Sequence, residues 1–248
     1  MKKIILFVLL VLLVSYLCAE DYLDINFFIE PRFEHEQINM VNFLVKNIKN
    51  DSIRQVNAFA GRILAEPQSD SLVVEFINAL EPEIVSPVDF LFNNNAFESD
   101  LLISNIESDF IPIIKNKIIK CDSFKVGIFA IYTPDFTVKN KIASHAKFDT
   151  KIFEIAKKQT KYLSKKTDFV VMLSNVSKYI DSDIVKGLDV DAVVSFDYQK
   201  KKNELFSNRV TNFYSILTKY GNYGKLRLKY HKGKVCGSWE ELKFEGLN

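Results

Sequence analysis

Three histidines in a chain of 248 residues leave almost no imidazole for a transition-metal centre, and His35, His145 and His231 stand far apart in polar segments. His35 lies between Glu34 and Glu36, a triplet that reads as a solvated loop ahead of a helix rather than a metal nucleus. The same scarcity removes nucleophilic chemistry that needs imidazole. Ser174, Asp181 and Asp183 have no histidine near them in sequence to complete a serine-hydrolase system. Glycine and proline are also few, at 8 and 6, so the chain contains no Gly/Ser linker, low-complexity tract or repeat period that would mark a second unit. Net charge is nearly absent as well. With 33 basic and 31 acidic side chains the formal charge is +2, which gives no support for a nucleic-acid partner.

Long apolar runs are absent except at the N-terminus. There Lys2 and Lys3 precede an uninterrupted apolar run over 4–14, extended to Leu17, and Glu20-Asp21 follow. This is the arrangement of an export signal, and the run falls short of the roughly 20 apolar residues of a comfortable membrane span. Cleavage after Ala19 gives a signal peptide over 1–19 and a mature chain over 20–248. The expected location is therefore secreted or periplasmic, in the cell envelope. An uncleaved anchor ranks second. A lipoprotein through Cys18 ranks third, because Leu17 in front of it is bulkier than the small residue that processing prefers. Loss of 1–19 removes two lysines and no acid, leaving 31 charges of each sign. Of the cysteines, Cys121 and Cys236 then remain, enough for one disulfide or for two buried thiols. Sequence cannot place their Cα atoms within bonding distance and leaves both open.

What is present is a core. Hydrophobic residues make up 48% of the chain and charged ones 26%, over a length that fits one globular domain at 20–248. Runs rich in Ile, Val and Phe predict strands over 23–29, 56–59, 83–86, 101–104, 113–119, 125–131, 169–174 and 192–195. Helices are predicted over 37–48, 69–80, 150–164 and 180–186, the second capped by Ser69 or Asp70 and stopped by Pro82. Alternation of the two implies crossovers and a partly parallel sheet. Beyond residue 214 the pattern changes. Residues 214–218 and 225–230 alternate like antiparallel strands, Gly221-Asn-Tyr-Gly224 reads as turn chemistry, and His231-Lys-Gly-Lys234 as a further turn. Lys157, Lys158, Lys161, Lys165 and Lys166 recur along one predicted helix, and Lys200-Lys201-Lys202 forms a loop run. Both read as solvated faces, with contact to anionic lipid or another polyanion as the functional alternative.

Four segments carry a resemblance. The stretch 71–85, then Lys125-Val-Gly-Ile-Phe-Ala-Ile-Tyr-Thr-Pro134, Asp168-Phe-Val-Val-Met-Leu-Ser174 and Asp189-Val-Asp-Ala-Val-Val194 follow one another in a distinctive order and spacing. The chain thereby resembles, over about 23–237, the calcineurin-like metallophosphoesterase domain of 5'-nucleotidases. The resemblance implies an α/β fold: layered β-sheets flanked by helices, mixed strands and an antiparallel C-terminal part. It also implies a chemistry, in which two divalent metals held by Asp, His and Asn activate a water and neutralise phosphate.

At the positions of those ligands this sequence departs from the family. Asp-x-His is replaced by Glu30-Pro31-Arg32, and Gly-Asp, whose Asp bridges both metals, by Gly61-Arg62. A fixed positive charge at a bridging position opposes two dications. Gly-Asn-His-Glu is replaced by Val88-Asp89-Phe90-Leu91, Leu-Ser-His by Leu173-Ser174-Asn175, and Gly-His-x-His by Phe196-Asp197-Tyr198-Gln199. Glu30, Arg32, Arg62, Asp89, Asn175, Asp197 and Gln199 therefore form the expected cleft, with no catalytic residue, metal or cofactor assigned to it. Oxygen ligands among them would suit Mg²⁺ or Ca²⁺, but pairing of Arg32 and Arg62 with Glu30, Asp89 and Asp197 is the favoured account of the same charges. The expectation is a non-catalytic, exported binding or structural module of the cell envelope with a small anion as a possible cleft ligand. It would meet the membrane only through its N-terminal segment, if that segment is uncleaved or lipidated. The alternative is a weakly active divalent-metal-dependent phosphohydrolase or nucleotidase using Glu30, Asp89, Asn175 and Asp197. The nucleoside-binding second domain of exported 5'-nucleotidases has no counterpart in the expected organisation.

Overall fold

The computed structural model describes residues 21–29, 53–61, 75, 77–87, 98–109, 112–133, 146–176, 178–195, 204–205, 211–213 and 222–243. Its strands are β1 (Asp21–Ile29), β2 (Arg54–Gly61), β3 (Ile84–Pro87), β4 (Leu101–Leu102), β5 (Ile106–Ser108), β6 (Ile113–Ile114), β7 (Lys117–Lys120) and β8 (Lys125–Ile131). There follow β9 (Ala146–Phe148), helix α1 (Ile152–Leu163), β10 (Phe169–Ser174), helix α2 (Lys178–Val185), β11 (Ala192–Ser195), β12 (Glu204–Leu205), β13 (Thr211–Phe213), β14 (Asn222–His231) and β15 (Lys234–Lys243). Helical residues 75 and 77–79 end at Glu81, which takes a left-handed φ of 45° just before Pro82, the predicted stop.

Two mixed sheets result. The first has the order β15-β14-β1-β2-β3-β4-β6, parallel from β1 to β6, with β14 and β15 added antiparallel. The second has the order β12-β13-β11-β10-β8-β7, parallel through β13, β11, β10 and β8, with antiparallel edges. β5 and β9 form a separate short pair that the sequence pattern had not suggested. Strand alternation explains why both sheets are so apolar. In β8, Val126, Ile128 and Ala130 join Leu23, Ile25, Phe27 and Ile29 of β1 in the core between the sheets, while Phe129 and Ile131 turn the other way. They meet Ala156 and Leu163 of α1 and Val185 of α2 in a second apolar layer. A strand covered on both faces needs a continuous apolar run, which is what 125–131 and 169–174 contain. Gly127 lets α1 come close, since a Cβ there would lie 2.9 Å from Leu163 Cδ2 and 3.0 Å from Thr167 Oγ1.

One predicted strand is divided. The run 113–119 splits at Lys115-Asn116, so that β6 closes the first sheet and β7 opens onto the second. The polar pair is satisfied where the chain crosses: Lys115 Nζ donates to the Ile106 carbonyl (2.7 Å) and Asn116 Nδ2 to Gln159 Oε1 (2.7 Å). The turn at His231-Lys-Gly-Lys234 is present as a two-residue hairpin loop, with φ of 50° at Lys232 and 80° at Gly233, the paired positive values of a type I′ turn. The predicted strand at 214–218 and the predicted helix at 37–48 lie outside the described residues.

The outer face of the first sheet carries a polar network under cover. Asp24, 1% exposed, accepts from Arg227 Nε (2.8 Å) and Nη2 (2.7 Å), with Lys225 Nζ at 3.9 Å. Its carboxylate holds the Arg227 guanidinium proton more tightly than usual. One row along, Phe28 stacks between Phe59 and Tyr223, at centroid distances of 4.9 and 5.5 Å.

Candidate functional site

Parallel strands bring their following loops to one end of a sheet, where open α/β folds place ligands. Register fixes that end here. Ile29 pairs with Ala60, Ala60 with Ser86 and Gly61 with Pro87, so the chain leaves β1, β2 and β3 side by side. In the second sheet Ser174 pairs with both Ile131 and Ser195, so β8, β10 and β11 also finish together. A tyrosine joins the two ends. Tyr132, directly after β8, places its hydroxyl 2.6 Å from the carbonyl and 2.6 Å from the hydroxyl oxygen of Ser86 in β3. Ser86 in turn donates to the Leu102 carbonyl (2.6 Å). Asn105 clamps the Tyr132 backbone from both sides, donating to its carbonyl (2.8 Å) and accepting its N–H (3.1 Å).

β1, β2 and β3 therefore finish at the same end of the molecule as β8, β10 and β11. Glu30 and Arg32 follow β1, Arg62 follows β2, Asp89 follows β3, Asn175 follows β10, and Asp197 and Gln199 follow β11. Asn175 is the member of this set within the described residues; the other six lie outside them. Gly61, immediately before Arg62, turns the chain with φ of 84°, a conformation that side chains other than glycine rarely adopt.

Asn175 is spoken for structurally. Its Oδ1 accepts the backbone N–H of Thr133 (2.8 Å) and its own N–H donates to the Ile131 carbonyl (3.3 Å), stitching the exit of β10 to that of β8. The amide oxygen has a second lone pair, so the bond from Thr133 positions the side chain and uses half of its acceptor capacity. Ser174 and Asp181 do come together, but for a different purpose from hydrolysis. The buried Asp181 carboxylate of α2 accepts from Ser174 Oγ (2.6 Å) and Ser195 Oγ (3.2 Å), tying the last residues of β10 and β11 to one helix. Among the described residues no group of three His, Cys, Asp or Glu converges in a way that could hold a metal ion. His231 sits on the β14–β15 hairpin, beside the start of β1 and so at the opposite end of the sheet. Cys121 and Cys236 are free thiols, and burial pushes the Cys121 thiol up to about 11.

Tyr132, Ser86, Asn105 and Asp181 were missed by sequence reading as members of this end of the molecule. Tyr132 did carry a signal: an amphipathic aromatic directly after an all-apolar strand needs a buried partner for its hydroxyl. The partners, at 46 residues' separation for Ser86, did not show in sequence.

Comparison with solved structures decides the architecture. A candidate 5'-nucleotidase of Staphylococcus aureus superposes with a TM-score of 0.69 at 12% identity, covering 91% of this chain and 54% of its own. The chain has the metallophosphoesterase fold. It spans about half the length of that nucleotidase. Two structures of similar length also share this fold: a phosphatase of Mycoplasma pneumoniae (TM-score 0.55, 10% identity, 91% of this chain and 94% of that one), and the anchor in the inner membrane complex of Plasmodium (0.51, 13%, 91% and 90%). No protein-family model matches the sequence, and the search of curated proteins gave no match. At such identities the likeness is one of fold, and the metallophosphoesterase fold accommodates both a phosphatase and an anchor.

Proposed function

We propose that this protein is a non-catalytic derivative of the metallophosphoesterase fold, exported and serving as a binding or structural module of the cell envelope. The observation that carries the reading is Asn175, the described member of the metal-ligand positions, whose oxygen is engaged by Thr133. Sequence supports it from the other side, with Arg32 and Arg62 at ligand positions and no histidine at any of them. The Plasmodium anchor is a precedent for the fold in a structural role. The cleft ligand in this reading is a small anion, engaged by Arg32 and Arg62.

The test is thermal unfolding of the chain with EDTA and with excess Mn²⁺, Mg²⁺, Zn²⁺ or Ca²⁺, since specific binding to the native state raises the midpoint. The expected result is no shift with any metal and a saturable rise with phosphate. A metal-dependent rise abolished by Asp89→Ala would overturn the proposal in favour of a divalent-metal phosphohydrolase built on Glu30, Asp89 and Asp197.

A further inference from the structure

The outer face of α1 is unusual for a solvated helix. Lys157, Lys161 and Lys165 follow one another at i, i+4 spacing, and Lys158 and Lys166 lie in the adjacent row with Tyr162 between them. All five lysines are exposed, and among the described residues Lys157, Lys158, Lys161 and Lys165 have no ion-pair partner. Like charges at this spacing repel and weaken the helix that carries them. Glu154 is the one acid of the helix, and the nearby Asp183 of α2 is already paired with Lys186 at 2.5 Å. Favourable interaction with the helix C-terminus accounts for Lys161, Lys165 and Lys166 but not for Lys157 and Lys158, which lie a turn or more earlier. The row is flanked by the two exposed large hydrophobic side chains recorded among the described residues, Phe153 at 50% and Tyr162 at 43%. Lys166 Nζ donates to Tyr162 Oη (2.8 Å) and lies 4.1 Å from its ring centroid. Beyond the helix end, Lys125, Lys165 and Lys166 line an open depression of about 480 Å³, with Asp122 and Asp168 as its counter-charges.

We propose that this face of α1 is a docking surface for an anionic lipid bilayer, with the lysines over the headgroups and Phe153 and Tyr162 at the interface. Exposed lysines of one sign complement anionic headgroups, and aromatic side chains sit at headgroup level. A nucleic acid fits less well, because the chain as a whole carries a formal charge of only +2. An export signal over 1–19, which the proposed function assumes, would carry the chain to a membrane. This deepens the envelope-module reading, yet it does not depend on what the cleft binds: failure here leaves the metal titration untouched.

The test is co-sedimentation of the full chain with vesicles of phosphatidylcholine alone and of phosphatidylcholine with phosphatidylglycerol. The ratio of the two partition coefficients cancels the apolar contribution of the N-terminal run, and the contribution of Lys2 and Lys3 beside it is common to the wild type and every variant. The wild type is expected to favour the anionic vesicles and to lose that preference as salt rises. Each lysine near such a surface contributes roughly fivefold, so K157Q/K158Q/K161Q should lower the ratio by at least about tenfold. Phe153→Ser should lower anionic partition severalfold, and K232Q/K234Q on the distant hairpin should change the ratio little. Circular dichroism checks that the helix survives, and Lys157→Gln alone replaces the triple variant if it does not fold. A wild type without anionic preference, a triple variant that keeps it, or an equal loss in the hairpin control would overturn the proposal. Heparin bound as tightly as the vesicles, with Phe153→Ser without effect on either, would assign the face to a soluble polyanion instead.

Discussion

Replacing Tyr132 by Phe removes one hydroxyl from the junction of the two sheets and leaves the ring in place. Tyr132 is 1% exposed, so the perturbation opens no cavity and the change reports the hydrogen bond alone. Its oxygen lies 2.6 Å from both the carbonyl and the hydroxyl oxygen of Ser86, while the Ser86 hydroxyl proton serves the Leu102 carbonyl. A buried acceptor deprived of its donor is destabilised by about 1–3 kcal/mol. In a chain of 248 residues each kcal/mol moves the midpoint by about 2–4 °C, so Tyr132→Phe should unfold roughly 2–12 °C lower. Urea titration should show a lower midpoint at an unchanged slope. Ser86→Ala keeps the carbonyl that accepts from Tyr132 and removes only the facing hydroxyl, so Tyr132→Phe should remain destabilising in that background. A Tyr132→Phe effect under about 0.5 kcal/mol in either background would show that the hydroxyl does not tie the two sheets together.

Other sites give independent checks. Arg227→Ala leaves Asp24 covered with only Lys225 at 3.9 Å, and chemical denaturation should report a loss of about 3 kcal/mol, the low end for breaking a buried pair because Arg227 itself is 41% exposed. Gly127→Ala drives a methyl against Leu163 and Thr167 and should destabilise by about 1–3 kcal/mol, with helical circular dichroism retained. Glu83 has its carboxyl pulled up from 4.5 by burial, against weaker opposition from backbone hydrogen bonds and from Arg54 and Lys117. A raised folded value means that stability is fully present below the unfolded value and lost as pH rises through the folded one. Glu83→Gln should therefore be more stable than wild type at pH 7, the difference closing as pH falls below 4.5; a difference that grows on acidification would contradict the assignment.

Most of the sheet framework was legible because it depends on local pattern. Runs such as 125–131 and 169–174 announce strands covered on both faces, and they occupy the centre of the second sheet as β8 and β10. The two-residue hairpin at Lys232-Gly233 was equally readable, since glycine in such a position marks a positive φ. What sequence could not show was where two polar residues turn an apolar run from one sheet to the other, as at Lys115-Asn116. Their partners, Ile106 and Gln159, are 9 and 43 residues away. The same holds for the candidate site. Register brings the strands preceding Glu30, Arg62, Asp89, Asn175 and Asp197 to one end, as the order of segments implied. The residues that hold that end together, Tyr132, Ser86 and Asp181, bond across long separations and carry no motif.

Those bonds bear on how a metallophosphoesterase scaffold would persist under the proposed function, in which the ligand positions have changed. In the metal-bearing family, ions held between loops of the two sheets would join them, as any ligand that binds only the native state stabilises it. Here three sets of protein contacts serve the same end of the molecule. Tyr132 joins β8 to β3 of the other sheet, Asn175 joins the exits of β10 and β8, and Asp181 gathers β10 and β11 onto α2. Each is a hydrogen bond between groups already positioned by buried strands, so little further ordering opposes it. Strand ends joined in this way do not need a dication to hold them together. If that reasoning is right, EDTA should leave the melting temperature unchanged while Ser174→Ala, which strips Asp181 of its closest partner at 2.6 Å, lowers it. A protein stabilised by metal across this end would show the reverse ranking.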